Sequence, residues 1–330
     1  NLDELILEVP EGIGRLTAET SHPSWLLECW VKRYGEIDAR ALALAANRTP
    51  RSAFRFNTRV ATQERTRAWF EENGVSIRDS ALVPNAAVIE AGQLPPKSEP
   101  VRDGWVYLQD ETSQLVARLA VDEKFATRDT TRPVRALDLC AAPGGKTTLL
   151  ASLLPESATI VAGDLHHHRL RTMTSLAHRL GIDHICPIQI DATRALPFAE
   201  EGLFDLVLLD APCSGLGTLQ RHPEIKWRVT AQKISELAAL QKQLIETAAG
   251  QVQRGGMLTY SVCSTEPEEG EEVVAYLKSR HPEFRDVTGE RLRELGHDPA
   301  EMLTSSQGAR SFTHRNGTES FFFCVLWKRR

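Results

Sequence analysis

The sequence predicts an α/β fold: a Rossmann-like domain with a mostly parallel sheet and helices on both faces, preceded by a small helical and α+β module. Two observations carry this. From Gly104 onward, short apolar runs alternate with longer amphipathic ones, the pattern of a parallel sheet covered on both sides. Three of those apolar runs close on an acid, at Asp164, Asp191 and Asp210, and another runs into the glycine turn Cys140-Ala141-Ala142-Pro143-Gly144-Gly145-Lys146. Ligands of open α/β sheets bind at this carboxyl edge. Residues 1–100 lack the alternation, so they are expected to form the first module and 101–330 the second.

Taken in order, residues 1 to about 50 carry helical signals. Trp25, Leu26, Trp30 and Val31 recur at helical spacing after the Ser21-His22-Pro23-Ser24 start, and Ala39–Ala46 is an alanine-leucine run. Short strands are expected at Phe54–Asn57 and Ala87–Glu90, around an amphipathic helix from Thr62 to Asn73. Arg48, Arg51, Arg55, Arg59, Arg65 and Arg67 lie along this stretch. Such a cluster suits phosphate contact, and equally a solvated face. Gly92–Pro100, with Pro95, Pro96 and Pro100, reads as a linker.

In the second part, strands are expected at Val106–Leu108, Ala136–Leu139, Thr159–Ala162, Ile185–Ile190, Leu206–Leu209, Met257–Tyr260 and Phe321–Trp327. Helices are expected at Ser113–Leu119, Thr147–Leu154, His166–Leu180 and Thr230–Val252, the third ending at Gly181 as a helix C-terminus does.

Composition narrows the function. With 330 residues and 42% hydrophobic content the chain can bury ordinary cores. It shows no signal-peptide profile and no apolar run near the roughly 18 residues that span a bilayer, so a cytoplasmic location and no membrane partner are expected. The chain starts at Asn1 rather than Met, as a processed or partial chain would. Six scattered cysteines without C-x-x-C or zinc-type spacing read as reduced thiols, and no metal is expected. The adjacent His166, His167 and His168 point in different directions on a helix and read as exposed. A net charge of -5 gives no global pull on nucleic acid, so any such binding must use local basic surfaces.

The glycine turn fits neither familiar nucleotide motif. In a Walker A reading Cys140 stands where the first glycine belongs, and Gly144-Gly145 lacks the G-x-G-x-x-G spacing. What remains is a helix N-terminus suited to a carboxylate, an acid (Asp164) placed for ribose hydroxyls and another (Asp191) for an adenine amino group. Each acid alone is more often a cap. Together they describe an S-adenosylmethionine site.

Cys213 and Cys263 both follow strands expected to be neighbours, so they should face one pocket. Methylating cytosine at C5 needs a nucleophile at C6 and a group that stabilises charge at N3, and afterwards the C5 proton and the C6 thioether must leave. Asp210 is the candidate for N3. A free thiol ionises near ~8.5 and needs a cation to react at neutral pH, for which Lys146 is nominated, its alternative being a solvated helix start. Spacing does not say which cysteine attacks, and in a DNA-type cytosine methyltransferase the Pro212-Cys213 pair would supply the nucleophile.

At these motifs the chain resembles the Sun (Fmu) family of RNA cytosine-C5 methyltransferases, most closely its bacterial 16S rRNA type. The resemblance spans about Ser21 to the C-terminus: SHPSWLLECWVKRYG, FRFNTR, LQDETSQ, LDLCAAPGGKTT, DAPCSGLGTLQRHPEIKW, YSVCSTEPEEGEEVV and ESFFFCVLWKR. It implies that Cys263 attacks the base, that Cys213 assists release and that Asp210 engages the cytosine. Cys140, Ala141, Ala142, Pro143, Gly144, Gly145, Lys146, Asp164, Asp191 and Asp210 are implied to border S-adenosyl-L-methionine. RNA, 16S rRNA above all, is the implied partner, and the arginine-bearing module is implied to help hold it. A tRNA or other rRNA substrate, and an inactive RNA-binding scaffold, are the alternatives. Bacterial members also carry an N-terminal helical domain resembling the antitermination factor NusB. This chain has no room for it, so lower substrate affinity is expected. Arg221-His222-Pro223 through Lys226-Trp227 is expected to line the RNA approach, or else to be a packed indole and a solvated turn.

Overall fold

The computed structural model describes Val9 and residues 11–122, 133–198 and 203–330. Three short helices come first: α1 (Ile13–Thr20), α2 (Ser24–Tyr34) and α3 (Glu36–Ala46). Their apolar faces bury Leu26, Leu27, Trp30, Leu42 and Ala43 against Leu216, Leu219, Ile234 and Phe312 of the second half. The helical unit is therefore packed onto the segment that follows Cys213.

A small antiparallel sheet comes next, in the order β2-β3-β1-β4. It is built from β1 (Ala53–Phe56), α4 (Gln63–Glu72), β2 (Ser76–Asp79), β3 (Ala86–Ala91), α5 (Glu99–Arg102) and β4 (Val106–Leu108). The Thr62 side chain caps α4 by accepting from the Arg65 N–H. Phe54, Phe56, Phe70, Val75, Ala87 and Val106 form the core beneath the sheet. Two features depart from the sequence reading. Strand β2, Ser-Ile-Arg-Asp, has too little apolar character to announce itself. Strand β4, read above with the alternating half, pairs with β1 through Phe54 and Leu108 and completes the small sheet.

The remaining elements are α6 (Glu111–Leu119), β5 (Arg135–Asp138), α7 (Gly145–Leu153), β6 (Thr159–Asp164), α8 (His167–Arg179), β7 (Ile185–Gln189), β8 (Phe204–Asp210), α9 (Ile225–Arg228), α10 (Ala231–Gln251) and β9 (Val252–Val262). After them come α11 (Glu271–Arg280), β10 (Phe284–Asp286), α12 (Thr288–Glu294), β11 (Leu303–Ser305), β12 (Gly308–Ser311), α13 (Thr313–Asn316) and β13 (Phe321–Lys328). They form a nine-stranded sheet in the order β11-β12-β13-β9-β8-β5-β6-β7, with β10 also paired to β13. Strands β7, β6, β5, β8 and β9 are parallel, as expected, and the C-terminal strands add antiparallel ladders, so the sheet is mixed. Leu115, Leu119, Leu150, Leu176 and Leu292 cover one face. Leu244, Ile245, Val274 and Leu277 cover the other.

Strand β5 starts the parallel set and is flanked by β6 on one side and β8 on the other. Its carboxyl end is thus the switch point where connections diverge and a crevice opens. Every strand-end residue singled out above lies along this edge.

Candidate active site

Strand β5 ends in Asp138, an acid inside an apolar strand that the sequence reading passed over. It is buried, and it accepts from the Thr147 hydroxyl at 2.8 Å and from the Cys140 N–H at 3.3 Å, pinning the glycine turn to the start of α7. Burial pushes its carboxyl up to about 7, the nearby Asp210 adds to this, and the Thr147 hydrogen bond opposes it. Gly144 enters α7 at φ 110, and a Cβ there would meet the Met173 side chain at 2.7 Å. Only glycine fits such a position. No side chain caps α7, which leaves its first N–H groups without a side-chain acceptor.

At the end of β6, Asp164 is 3% exposed. It accepts from the N–H groups of Ala142 (3.3 Å) and His166 (2.9 Å), with Arg169 3.5 Å away. The carboxylate is fixed against the glycine turn. Asp191 behaves differently. Half-buried beyond β7, it accepts from the N–H (3.0 Å) and hydroxyl (2.6 Å) of Thr193 and pairs with Arg194 at 3.2 Å. The Thr193 bonds hold its carboxyl below the usual range. It caps its own turn, and among the described residues no hydrogen bond or ion pair joins it to the other site residues.

The reactive groups converge at the ends of β8 and β9. Asp210 accepts from Lys146 Nζ at 2.7 Å and from the Ser261 hydroxyl at 2.7 Å. Lys146 lies over the Phe321 ring, 5.0 Å from its centroid. Burial disfavours its charge, but the Asp210 carboxylate outweighs burial and Cys263 adds to it, so its pKa is raised. The ammonium is retained. Beside this pair, the sulfurs of Cys213 and Cys263, 50 residues apart in sequence, stand 3.3 Å apart as free thiols. The Cys213 thiol is pushed up, first by its hydrogen bond with Cys263, then by burial and the charges of Cys263 and Glu269. Cys140 is also pushed up, by burial and then by Asp138, which disfavours its thiolate, and its backbone N–H is bonded to Asp138.

Residues that the sequence reading missed hold the two cysteine loops. Glu269 is fully buried and accepts from Ser214, next to Cys213, and from Ser264, next to Cys263. Arg310, buried and paired with Glu271 at 2.6 Å, donates to the Ser264 carbonyl at 2.8 Å. The helical unit reaches the same loop: Trp30 donates to Thr265 and Glu266, each at 3.2 Å, and Arg33 pairs with Glu266 and Glu268.

The arginine cluster divides. Arg48 and Arg51 are exposed. Arg55 is not available for RNA: it is 3% exposed, donates to Gln109 and to Thr148 of α7, and burial pulls its pKa down to about 10. It fastens the small sheet to the large domain. Arg59 is bound to Glu156 and Gly181, while Arg65 and Arg67 lie over the Trp105 and Phe56 rings. Trp227 is 62% exposed, so its indole is not packed, whereas Lys226 is buried and bonded to Asn47. His166, His167 and His168 are exposed, and among the described residues no three His, Cys, Asp or Glu side chains are grouped to hold a metal. No described helix is long and apolar enough to cross a membrane.

Two family models match parts of the sequence. That of the 16S rRNA methyltransferase RsmB/F family covers residues 128–327, and that of the Methyltr_RsmF/B-like, ferredoxin-like domain covers 22–93. The chain belongs to the RsmB/F methyltransferase family. It is 32% identical to a probable ribosomal RNA small subunit methyltransferase B of Bacillus subtilis, over 97% of this chain and 69% of that protein. Its counterpart in Synechocystis is also 32% identical, over 95% of this chain and 68% of that one. The crystal structure of PH0851 superimposes with a TM-score of 0.84 at 32% identity, covering 98% of this chain and 71% of that one.

As an RsmB/F member the chain is a methyltransferase whose methyl donor is S-adenosylmethionine. The crevice suits that molecule. The uncapped start of α7 can take a carboxylate, and Asp164 stands fixed at the next strand end as a hydroxyl acceptor.

Proposed function

We propose that this RsmB/F enzyme methylates C5 of a cytosine in small-subunit (16S) rRNA in the cytoplasm, through a covalent bond between Cys263 and C6 of the base. The observation that carries this reading is the meeting of two free thiols 3.3 Å apart beside the Lys146–Asp210 pair. Cytosine C5 methylation calls for that set: a sulfur nucleophile, a charge-stabilising pair at the base edge and a second group for release.

In this reading the start of α7 and Asp164 hold S-adenosylmethionine, with Cys140–Gly145 forming the turn beside it and Asp191 bordering the adenine end. Bound there, the cofactor supplies an electrophilic methyl group. Cys263 Sγ adds to C6, and the displaced electron pair builds charge on the ring toward N3. The Lys146–Asp210 pair, held by Ser261, engages that edge and stabilises the charge. Lys146 also favours the Cys263 thiolate. Once C5 carries the methyl group, its proton departs to water, the C5–C6 double bond re-forms and Cys263 leaves C6. The Cys213 thiol, 3.3 Å away, donates a proton to the departing sulfur and regains one from water.

RNA would approach over the exposed Arg48, Arg51, Arg228 and Trp227, where guanidinium groups and a free indole suit phosphates and an unpaired base. The deciding experiment is Cys263→Ala assayed with labelled methyl donor, combined with bisulfite mapping of rRNA from cells with and without the gene. Normal methylation by the variant would remove the nucleophile assignment. An unchanged bisulfite map would remove the substrate.

A further inference from the structure

Glu269 lies outside the reactive quartet, yet its carboxylate is where the two cysteine loops meet. It accepts from the Ser214 N–H at 2.8 Å and hydroxyl at 2.5 Å, from the Ser264 hydroxyl at 2.5 Å and from Gln241 Nε2 at 3.1 Å. Gln241 also donates to the carbonyl of Pro212, the residue before Cys213, at 2.9 Å. The Tyr260 hydroxyl donates to the Glu269 carbonyl at 2.6 Å, anchoring the residue to β9 itself. The side chain is fully buried, and among the described residues it forms no ion pair.

Burying a carboxylate against neutral donors alone is costly, and the two serine hydroxyls, already 3.2 Å apart, could bind one another without it. The arrangement instead fixes geometry and charge together. Ser214 and Ser264 each follow a cysteine directly, so bonding both to one carboxylate fixes the separation of the backbones that carry the sulfurs. The charge also sits on one side. The ionisable groups around the sulfurs are Asp210 and Lys146 toward the crevice, and Tyr260, Glu269 and Arg310 beneath. Glu269 acts on Cys213, and Lys146 on Cys263.

We infer that Glu269 is the positioning residue for both cysteines: a buried carboxylate that ties their loops to one point and sets its charge beside the Cys213 loop, favouring the proton on that sulfur. Cys213 is kept as the thiol, and Cys263 is left free to react. This assignment of roles rests on the function proposed above, whereas the tie and the charge do not.

The test therefore begins with chemistry independent of methylation. Initial rates of iodoacetamide alkylation at Cys213 are followed by peptide mass spectrometry at pH 8 in the free enzyme. Glu269→Gln, which removes the charge at nearly constant shape, should raise the Cys213 rate about tenfold. Glu269→Asp, which keeps the charge, should leave it within about twofold. A wild-type rate in a Glu269→Gln protein with a normal thermal melt overturns the inference.

Should Glu269→Gln fail to fold, Ser264→Ala removes the tie on the Cys263 side, together with the contacts of the Ser264 hydroxyl to the Ser214 hydroxyl and the Glu266 N–H. Its kcat on unmethylated small-subunit rRNA should fall about tenfold at unchanged KM, as expected for a lost charge-assisted hydrogen bond. An unchanged kcat would again overturn it. Cys263→Ala addresses the cysteine roles separately: if that variant methylates RNA, the roles fail while the alkylation difference stands.

Discussion

The loops that carry Cys213 and Cys263 look alike in sequence and differ in surroundings. Each follows a parallel strand, each reads Cys-Ser, and each serine bonds to Glu269. Cys213 leaves its strand through Pro212 into a loop covered by the N-terminal helices, with a buried carboxylate and a neighbouring sulfur as its electrostatic partners. The Cys263 loop is gripped by Arg310, Trp30 and Arg33, and its sulfur acts on the Lys146 ammonium. Local sequence brings both thiols to the pocket. In the mechanism proposed above, the charge beside each one divides the work between them.

Removing the sulfur on the cationic side should have the largest effect. Cys263→Ala is expected to lower methyl transfer by on the order of 10³-fold or more, as loss of a nucleophile does. Near-normal transfer, read by incorporation of labelled methyl, would reverse the comparison in favour of Cys213. Lys146→Met is next, since it leaves Asp210 with the Ser261 hydroxyl alone and takes the cation from Cys263; a fall of about 10²-fold or more in kcat is expected for a preorganised charge of this kind. An effect under about threefold would show that the cation does not distinguish the cysteines. Cys213→Ala should cost about 10²-fold in multiple turnover, the scale of a lost proton donor, with a protein–RNA adduct accumulating on denaturing gels. Equal adduct in wild type and variant would break the division of roles.

Much of this site was legible because buried parallel strands read as continuous apolar runs, and their last residues mark the ligand edge. Asp164, Asp210, Cys213 and Cys263 could be placed together from that rule alone. Glu269 could not. It stands in the run Glu-Pro-Glu-Glu-Gly-Glu-Glu, which reads as a solvated acidic turn, and only tertiary closure buries two of its acids, Glu266 against the N-terminal helices and Glu269 beneath the Cys213 loop. Arg55 misled for a related reason. Alternation in β1 suggests one wet face, but every residue of the strand is buried because α7 covers the side on which Arg55 projects. Both failures concern contacts distant in sequence, to which a local period is blind.

The same rule, that neighbouring charge assigns the role, extends to the two acids beneath the site and is read there in stability. Asp210 has Lys146 at 2.7 Å. Asp138, at the end of the adjacent strand, has hydroxyl and N–H donors, and burial raises its carboxyl to about 7. A carboxyl raised on folding from its unfolded value of roughly 4 contributes stability that is complete below about pH 4 and is lost as pH rises through about 7. Asp138→Asn cannot ionise and keeps an oxygen for Thr147, so it should lack this loss. Measured by urea unfolding from pH 4 to pH 8, wild type minus variant should decline by on the order of 4 kcal/mol, with most of the fall between pH 5 and 7. A difference independent of pH would mean that Asp138 is ionised throughout. The contrast with Asp210 would then rest on geometry, and the Lys146 charge would be shared between two carboxylates instead of held by one.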